Sequence, residues 1–203
     1  MEERLKLTKA STVAKVDATL YRSIVGGMRY LVHMRPDIAF AVGYASRFVD
    51  DPREDHWTTV KRLLRYVRGM ADQGIIFPKT GGSRLQLTVF SDADIAGDID
   101  GRRSTSRVLV FLGSAPNSWL SLKQKVVALS TCEAKYVAVA TAACQVVWLR
   151  QLLDELTGVE AHPPALIVDN QPTIALAKNP ILHDRSKHID VKFHFLRDYV
   201  DEG

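Results

Sequence analysis

The sequence predicts an α/β fold: a small helical segment, then a mixed sheet whose early strands form a meander and whose last strand enters through a helical crossover. Three observations carry this. Up to about residue 70 the apolar residues recur at helical spacing. Past the turn at Gly81 and Gly82, short β-prone runs replace that period. One long helical stretch, from about Thr131 to Leu156, then separates those runs from a last apolar run, Ala165–Val168.

Residues 1–16 show no apolar period and are expected to be a flexible lead-in. Residues 17–80 form the helical segment. Asp17 is placed to cap a first helix whose stripe is Leu20, Ile24, Met28 and Leu31, weakened by Gly26 and Gly27. Pro36 opens a second stripe, Ile38, Val42, Ala45 and Val49. Asp51 and Pro52 repeat the start signal, and Trp57, Val60, Leu64 and Val67 line a third helix that stops at Gly69. Residues 81–203 form the sheet domain. Its strands are expected at Leu85–Phe90 and Val108–Leu112, with Trp119–Leu122 and Val126–Leu129 as a third strand or strand pair. Ser130 and Thr131 cap the long helix. Pro163 and Pro164 introduce Ala165–Val168, whose unbroken apolar character reads as a strand buried on both faces. A helix follows Asp169 and Asn170 to about Lys178, and a last amphipathic helix runs from about Lys187 to Val200.

With 203 residues, 46% of them hydrophobic and 25% charged, the composition is that of a globular protein and excludes disorder and collagen. The uncharged run Tyr136 to Leu149 is shorter than the roughly 20 apolar residues a membrane span needs. The first residues lack the basic patch and apolar run of a signal peptide, so no membrane partner and an intracellular location are expected. Cys132 and Cys144 lie twelve residues apart in one helix, about 18 Å, too far to bridge, and are expected as reduced core thiols.

The net charge is +4, and its excess is all in the first part: residues 1–80 hold 14 Lys and Arg against 9 Asp and Glu, residues 81–203 hold 13 against 14. Lys61, Arg62, Arg65 and Arg68 form a row of cations about one turn apart on the third helix. Such a row is a solvated face or a surface that follows a nucleic-acid backbone. Arg185, Lys187, His188 and Lys192 form a second basic cluster open to the same two readings. His183, His188 and His194 are five and six residues apart, which does not match helical zinc pairs. Neither cysteine nor any serine has the His and Asp partners of a nucleophilic site.

Acidic residues cluster after the first strand: Asp92, Asp94, Asp98 and Asp100. A calcium-loop frame fails, because Ala96 and Arg103 stand where it needs oxygen ligands. Turn carboxylates facing water are one remaining reading. The other starts from strand ends: Asp92 closes the first strand and Asp169 closes the run Ala165–Val168. If those strands are parallel neighbours, their carboxylates converge where α/β sheets bind ligands. Hard oxygen ligands there suit Mg²⁺ and phosphoryl-transfer chemistry.

Several segments resemble the ribonuclease H domain of copia-type LTR retrotransposon polyproteins: Phe90–Asp98, Ala128–Tyr136, Val168–Gln171 with Ala175–Pro180, and Arg185–Asp190 with His194 and Phe195. Tyr21–Gly26, Arg35–Ala39 and Lys61–Tyr66 resemble the thumb-side end of the reverse transcriptase of the same polyprotein. The resemblance implies a ribonuclease H-like mixed sheet and cleavage of the RNA strand of an RNA–DNA hybrid by four carboxylates around two Mg²⁺ (or Mn²⁺) ions. Asp92 matches the first carboxylate and Asp169 the third. Lys135 stands where the family has its glutamate; Glu133 is two positions back, about 200° away on the helix. The fourth carboxylate lies, in the family, on a helix beyond one further strand. This sequence ends at Gly203, so the expected sheet lacks its last strand and helix. Ile95 replaces a family Trp, and Arg107 with Val108 replaces Gly-Tyr.

Replacing −1 by +1 at about 6 Å from a divalent ion, with an effective dielectric of about 20, changes the Coulomb energy by up to about 11 kcal/mol before the Lys relaxes. Even a tenth of that is nearly tenfold in affinity. Weak metal binding and weak or undetectable cleavage are therefore expected, in a domain that binds an RNA–DNA hybrid or other nucleic acid. Two alternatives stand beside this. An active enzyme would use Asp92 and Asp169 as principal ligands with Glu133 or Asp94 recruited. A co-opted interaction module would pair a protein partner with the exposed edge of Ala165–Val168.

Overall fold

A computed structural model describes residues 6–79 and 86–178. They fall into two units, Met1–Ile76 with Gly97–Arg102, and Phe77–Ala96 with Arg103–Gly203. The last predicted helix, from about Lys187, lies outside the described residues.

In the first unit α1 (Ala18–Leu31) begins where the Asp17 carboxylate accepts the Thr19 and Leu20 amides at 2.8 and 3.2 Å. A 3₁₀ turn at Pro36–Ile38 leads into α2 (Ala39–Ala45), and α3 spans Glu54–Gly69. Their core is Tyr21, Val25, Met28, Ile38, Val42, Ala45, Val60 and Leu63. The expected stripes hold except at one position on each of two helices. On α1 Met28 is buried and Ile24 and Leu31 pack on the core as expected, but Tyr21 and Val25 are also buried while Leu20 is 48% exposed. The Tyr21 hydroxyl donates to the Ala45 carbonyl at 2.9 Å, so this phenol goes inside without an unpaired polar atom, and burial pushes its pKa up. On α3 Leu63 is buried and Leu64 exposed.

Within the expected lead-in, Leu7 packs against the first unit. That side chain is buried with Tyr44 and Phe48, and its amide donates to the Tyr44 hydroxyl oxygen at 2.9 Å. Lys15 bridges to Arg53 further along. Gly97–Arg102 also belongs to this unit: Asp98 Oδ1 lies 3.6 Å from Arg47 Nη1, both side chains largely buried, and Asp100 accepts the Thr8 hydroxyl and the Lys9 amide.

The second unit holds a four-stranded mixed sheet of β1 (Leu87–Ala93), β2 (Thr105–Leu112), β3 (Ala115–Lys123) and β4 (Ala165–Val168), in the order β3-β2-β1-β4. β1–β2 and β2–β3 are antiparallel and β1–β4 parallel, the predicted meander and crossover. The crossover contains α4 (Thr131–Thr157), whose Ala142 and Val146 pack on Leu87, Val89, Val108 and Val110. By length and composition α4 could cross a bilayer, yet half of its most apolar window is buried inside the fold. It stops at Gly158, in the left-handed region at φ 67°, and α5 (Gln171–Lys178) follows β4.

Three expectations change here. Val126–Leu129 is not a strand. The β2–β3 ladder ends at Thr105 and Lys123, after which the Gln124 side chain donates to Ser106 Oγ at 3.0 Å and the Ala134 carbonyl at 2.8 Å, turning the chain toward α4. β4 is not buried on both faces: Leu166 and Val168 pack toward α4, while Ile167 is 46% exposed beside Phe90. The cysteines are free, but Cys144 lies on an exposed position of α4 rather than in the core.

Candidate active site

Parallel pairing of Ser91 with Val168 brings the following residues, Asp92 and Asp169, to neighbouring strand ends. Lys135, in the second turn of α4, reaches both. Its Nζ donates to Asp169 Oδ1 and lies 3.4 Å from Asp92 Oδ1, with its side chain only 12% exposed. The Lys135 hydrogen bond holds the Asp169 carboxyl below its ordinary value, and that same bond to Asp169 raises the Lys135 ammonium.

Arg107 supplies a second cation. It stands opposite Asp92 in the β1–β2 ladder, with Nη1 3.1 Å from Asp92 Oδ2 and Nη2 3.9 Å from Asp94 Oδ2. Asp94 is also tied to the backbone, its Oδ1 accepting the Thr105 amide at 2.6 Å. Glu133 is not brought to this group. It is buried, and its Oε2 accepts the Leu129 amide at 2.8 Å while its own amide donates to Ser130 Oγ at 3.1 Å. Asp98 and Asp100, which the sequence groups with Asp92 and Asp94, belong to the first unit.

As arranged, these residues do not fit a divalent ion. Mg²⁺ demands oxygen ligands at about 2.0–2.1 Å in near-ideal octahedral geometry. Each Asp92 oxygen already faces a cation, and Asp169 holds the same ammonium. Among the described residues no group of three or more His, Cys, Asp or Glu is placed to hold a metal.

On α3, Lys61 is ion-paired with Glu54 at 3.0 Å and sits near the Trp57 ring, whereas Arg62, Arg65 and Arg68 are exposed. Arg185, Lys187, His188 and Lys192 lie outside the described residues, as do His183 and His194. Arg107 is the site residue that sequence reasoning did not select. Its only signal was the departure from Gly-Tyr, because its place opposite Asp92 depends on strand register.

No protein-family model matches the chain, and no solved structure matches it significantly. It is 43% identical over 198 residues to the retrovirus-related Pol polyprotein from transposon RE2 of Arabidopsis thaliana, covering 98% of this chain and 14% of that protein. Against the retrovirus-related Pol polyprotein from transposon TNT 1-94 of Nicotiana tabacum the identity is 44% over 183 residues, 90% of this chain and 14% of that protein. A third relative, secreted RxLR effector protein 161 of Plasmopara viticola, is 45% identical over 130 residues, 64% of this chain and 90% of that protein. The chain is thus a homologue of the retrovirus-related Pol polyproteins of transposons, spanning about one seventh of the length of those it matches.

Proposed function

We propose that this chain is a ribonuclease H-like nucleic-acid-binding module of a retrotransposon Pol polyprotein, preceded by the helical end of the reverse transcriptase, in which RNA–DNA hybrid cleavage is impaired or lost. Homology to Pol polyproteins along 98% of the chain supports the origin. The order β3-β2-β1-β4, with β4 entering parallel to β1, supports the fold. The exposed row Arg62, Arg65 and Arg68 supports contact with a phosphate backbone.

The observation that carries the loss of cleavage is Lys135, whose ammonium sits on both strand-end carboxylates. A phosphodiester bound there would meet no ion able to activate water. The test is a labelled RNA–DNA hybrid incubated with the full chain in Mg²⁺ or Mn²⁺, and in parallel a binding titration across a salt series. An uncut hybrid that is bound with a steep salt dependence is expected. Cleavage that disappears in Asp92→Asn would reject the reading in favour of an active enzyme.

A second reading, a co-opted protein-interaction module, draws on the effector relative and on β4, which forms one edge of the described sheet and exposes Ile167. Light scattering that finds only monomer, together with salt-dependent hybrid binding, would count against it.

A further inference from the structure

We propose that Arg107 is a second, separate barrier to divalent-ion binding at the β1–β4 tip, so that removing the Lys135 charge alone does not open the site. The inference rests on reading Asp92 and Asp169 as the counterparts of a ribonuclease H-type metal site.

The geometry divides Asp92 between two cations. Oδ1 faces Lys135 Nζ at 3.4 Å and Oδ2 faces Arg107 Nη1 at 3.1 Å. The two cations differ in how easily they give way. A lysine ammonium is a point charge on a flexible four-carbon stem. A guanidinium keeps its charge at any accessible pH and presents a rigid planar fork. Arg107 is also placed by the backbone, since the β1–β2 register sets it opposite Asp92, and its second nitrogen points toward Asp94 at 3.9 Å. Exchanging Lys135 for an acid therefore frees Asp169 and one oxygen of Asp92. It leaves the other oxygen engaged and a permanent positive charge beside the incoming ion.

The consequence is a non-additive pattern in metal affinity. Four full-length proteins are compared: the wild type, Lys135→Glu, Arg107→Thr (a residue suited to a strand), and the double variant. Loss of the free Mn²⁺ electron paramagnetic resonance signal reports binding without reference to cleavage, and circular dichroism reports folding. The wild type and Arg107→Thr should show no saturable binding below about 1 mM. Lys135→Glu should bind weakly, and the double variant about tenfold more tightly or better, since a like charge within a few ångströms of the ion has been removed. If Lys135→Glu fails to fold, Lys135→Gln replaces it in the same comparison. A double variant that binds no more tightly than the single Lys135 variant overturns the proposal, as does saturable micromolar binding by the wild type. Hybrid binding measured in EDTA fails or succeeds independently of these affinities, so loss of the nucleic-acid reading and loss of this proposal give different results.

Discussion

Glu133 accepts the Leu129 amide through Oε2 at 2.8 Å, one residue before the N-cap Ser130 whose hydroxyl oxygen takes the Glu133 amide. The pair is a shifted capping box, in which a third-position acid reaches back past the N-cap to the amide of the residue before it. Glu133→Ala should therefore cost about 1 kcal/mol of stability, read as a lower urea midpoint with an unchanged slope. The same substitution should leave Mn²⁺ binding by the Lys135→Glu, Arg107→Thr protein unaltered. A loss of metal affinity without a loss of stability would make Glu133 a ligand instead.

The ion pair between Lys135 and Asp169 predicts a plateau in stability with pH. The hydrogen bond from Lys135 lowers the Asp169 carboxyl from its ordinary value of 3.8, so its contribution is complete above that value and disappears as pH falls through the lowered one. Asp169 raises Lys135 from 10.5, so at the alkaline end the contribution is complete below that value and disappears as pH rises through the raised one. The Asp169 side chain is 67% exposed, which limits the contribution to about 1 kcal/mol or less through solvent screening. Thermal melts of wild type and Lys135→Met should differ at neutral pH and converge at both extremes. A difference that persists undiminished at pH 2 would contradict the assignment.

The cations of α3 should not be equivalent in nucleic-acid binding. Arg65 and Arg68 are exposed, while Lys61 is held by Glu54. Changing either arginine to Gln takes a cation away from the phosphate backbone. Each such change should weaken hybrid binding and flatten the slope of log affinity against log salt by about 0.9. Lys61→Gln should change the slope less. Equal slopes for all three variants and the wild type would remove α3 from the interface.

Tyr21 is fully buried with its hydroxyl on the Ala45 carbonyl. Tyr21→Phe keeps the ring and strands that carbonyl, at a cost of about 1–2 kcal/mol in chemical denaturation. Tyr21→Ala should cost about 3–5 kcal/mol, because the cavity adds to the lost burial. A Phe variant as stable as wild type would show that Ala45 finds another donor.

Topology was more legible than orientation. The texture change after Gly81 and the long period from Thr131 locate strands and crossover, because strand and helix spacings differ over many residues. The rotational setting of a helix is finer. Leu20 and Tyr21 are both apolar, and which of them turns inward depends on the Ala45 carbonyl waiting in α2. Val126–Leu129 has strand composition, yet the Gln124 side chain pulls the chain out of the ladder. The adjacency of Asp92 and Asp169 follows from a parallel β1–β4 pair, which the helical crossover foretold. Arg107 and the membership of Gly97–Arg102 in the helical unit depend on register and on distant partners, Asp92 in one case and Arg47 in the other. No local period encodes either.

A magnesium ion can be stripped by a chelator and replenished from solution, so a site built on one follows its surroundings. An ammonium carried on the α4 side chain cannot diffuse away. The counterweight to Asp92 and Asp169 is consequently fixed when the polypeptide is made, indifferent to EDTA and to ion supply.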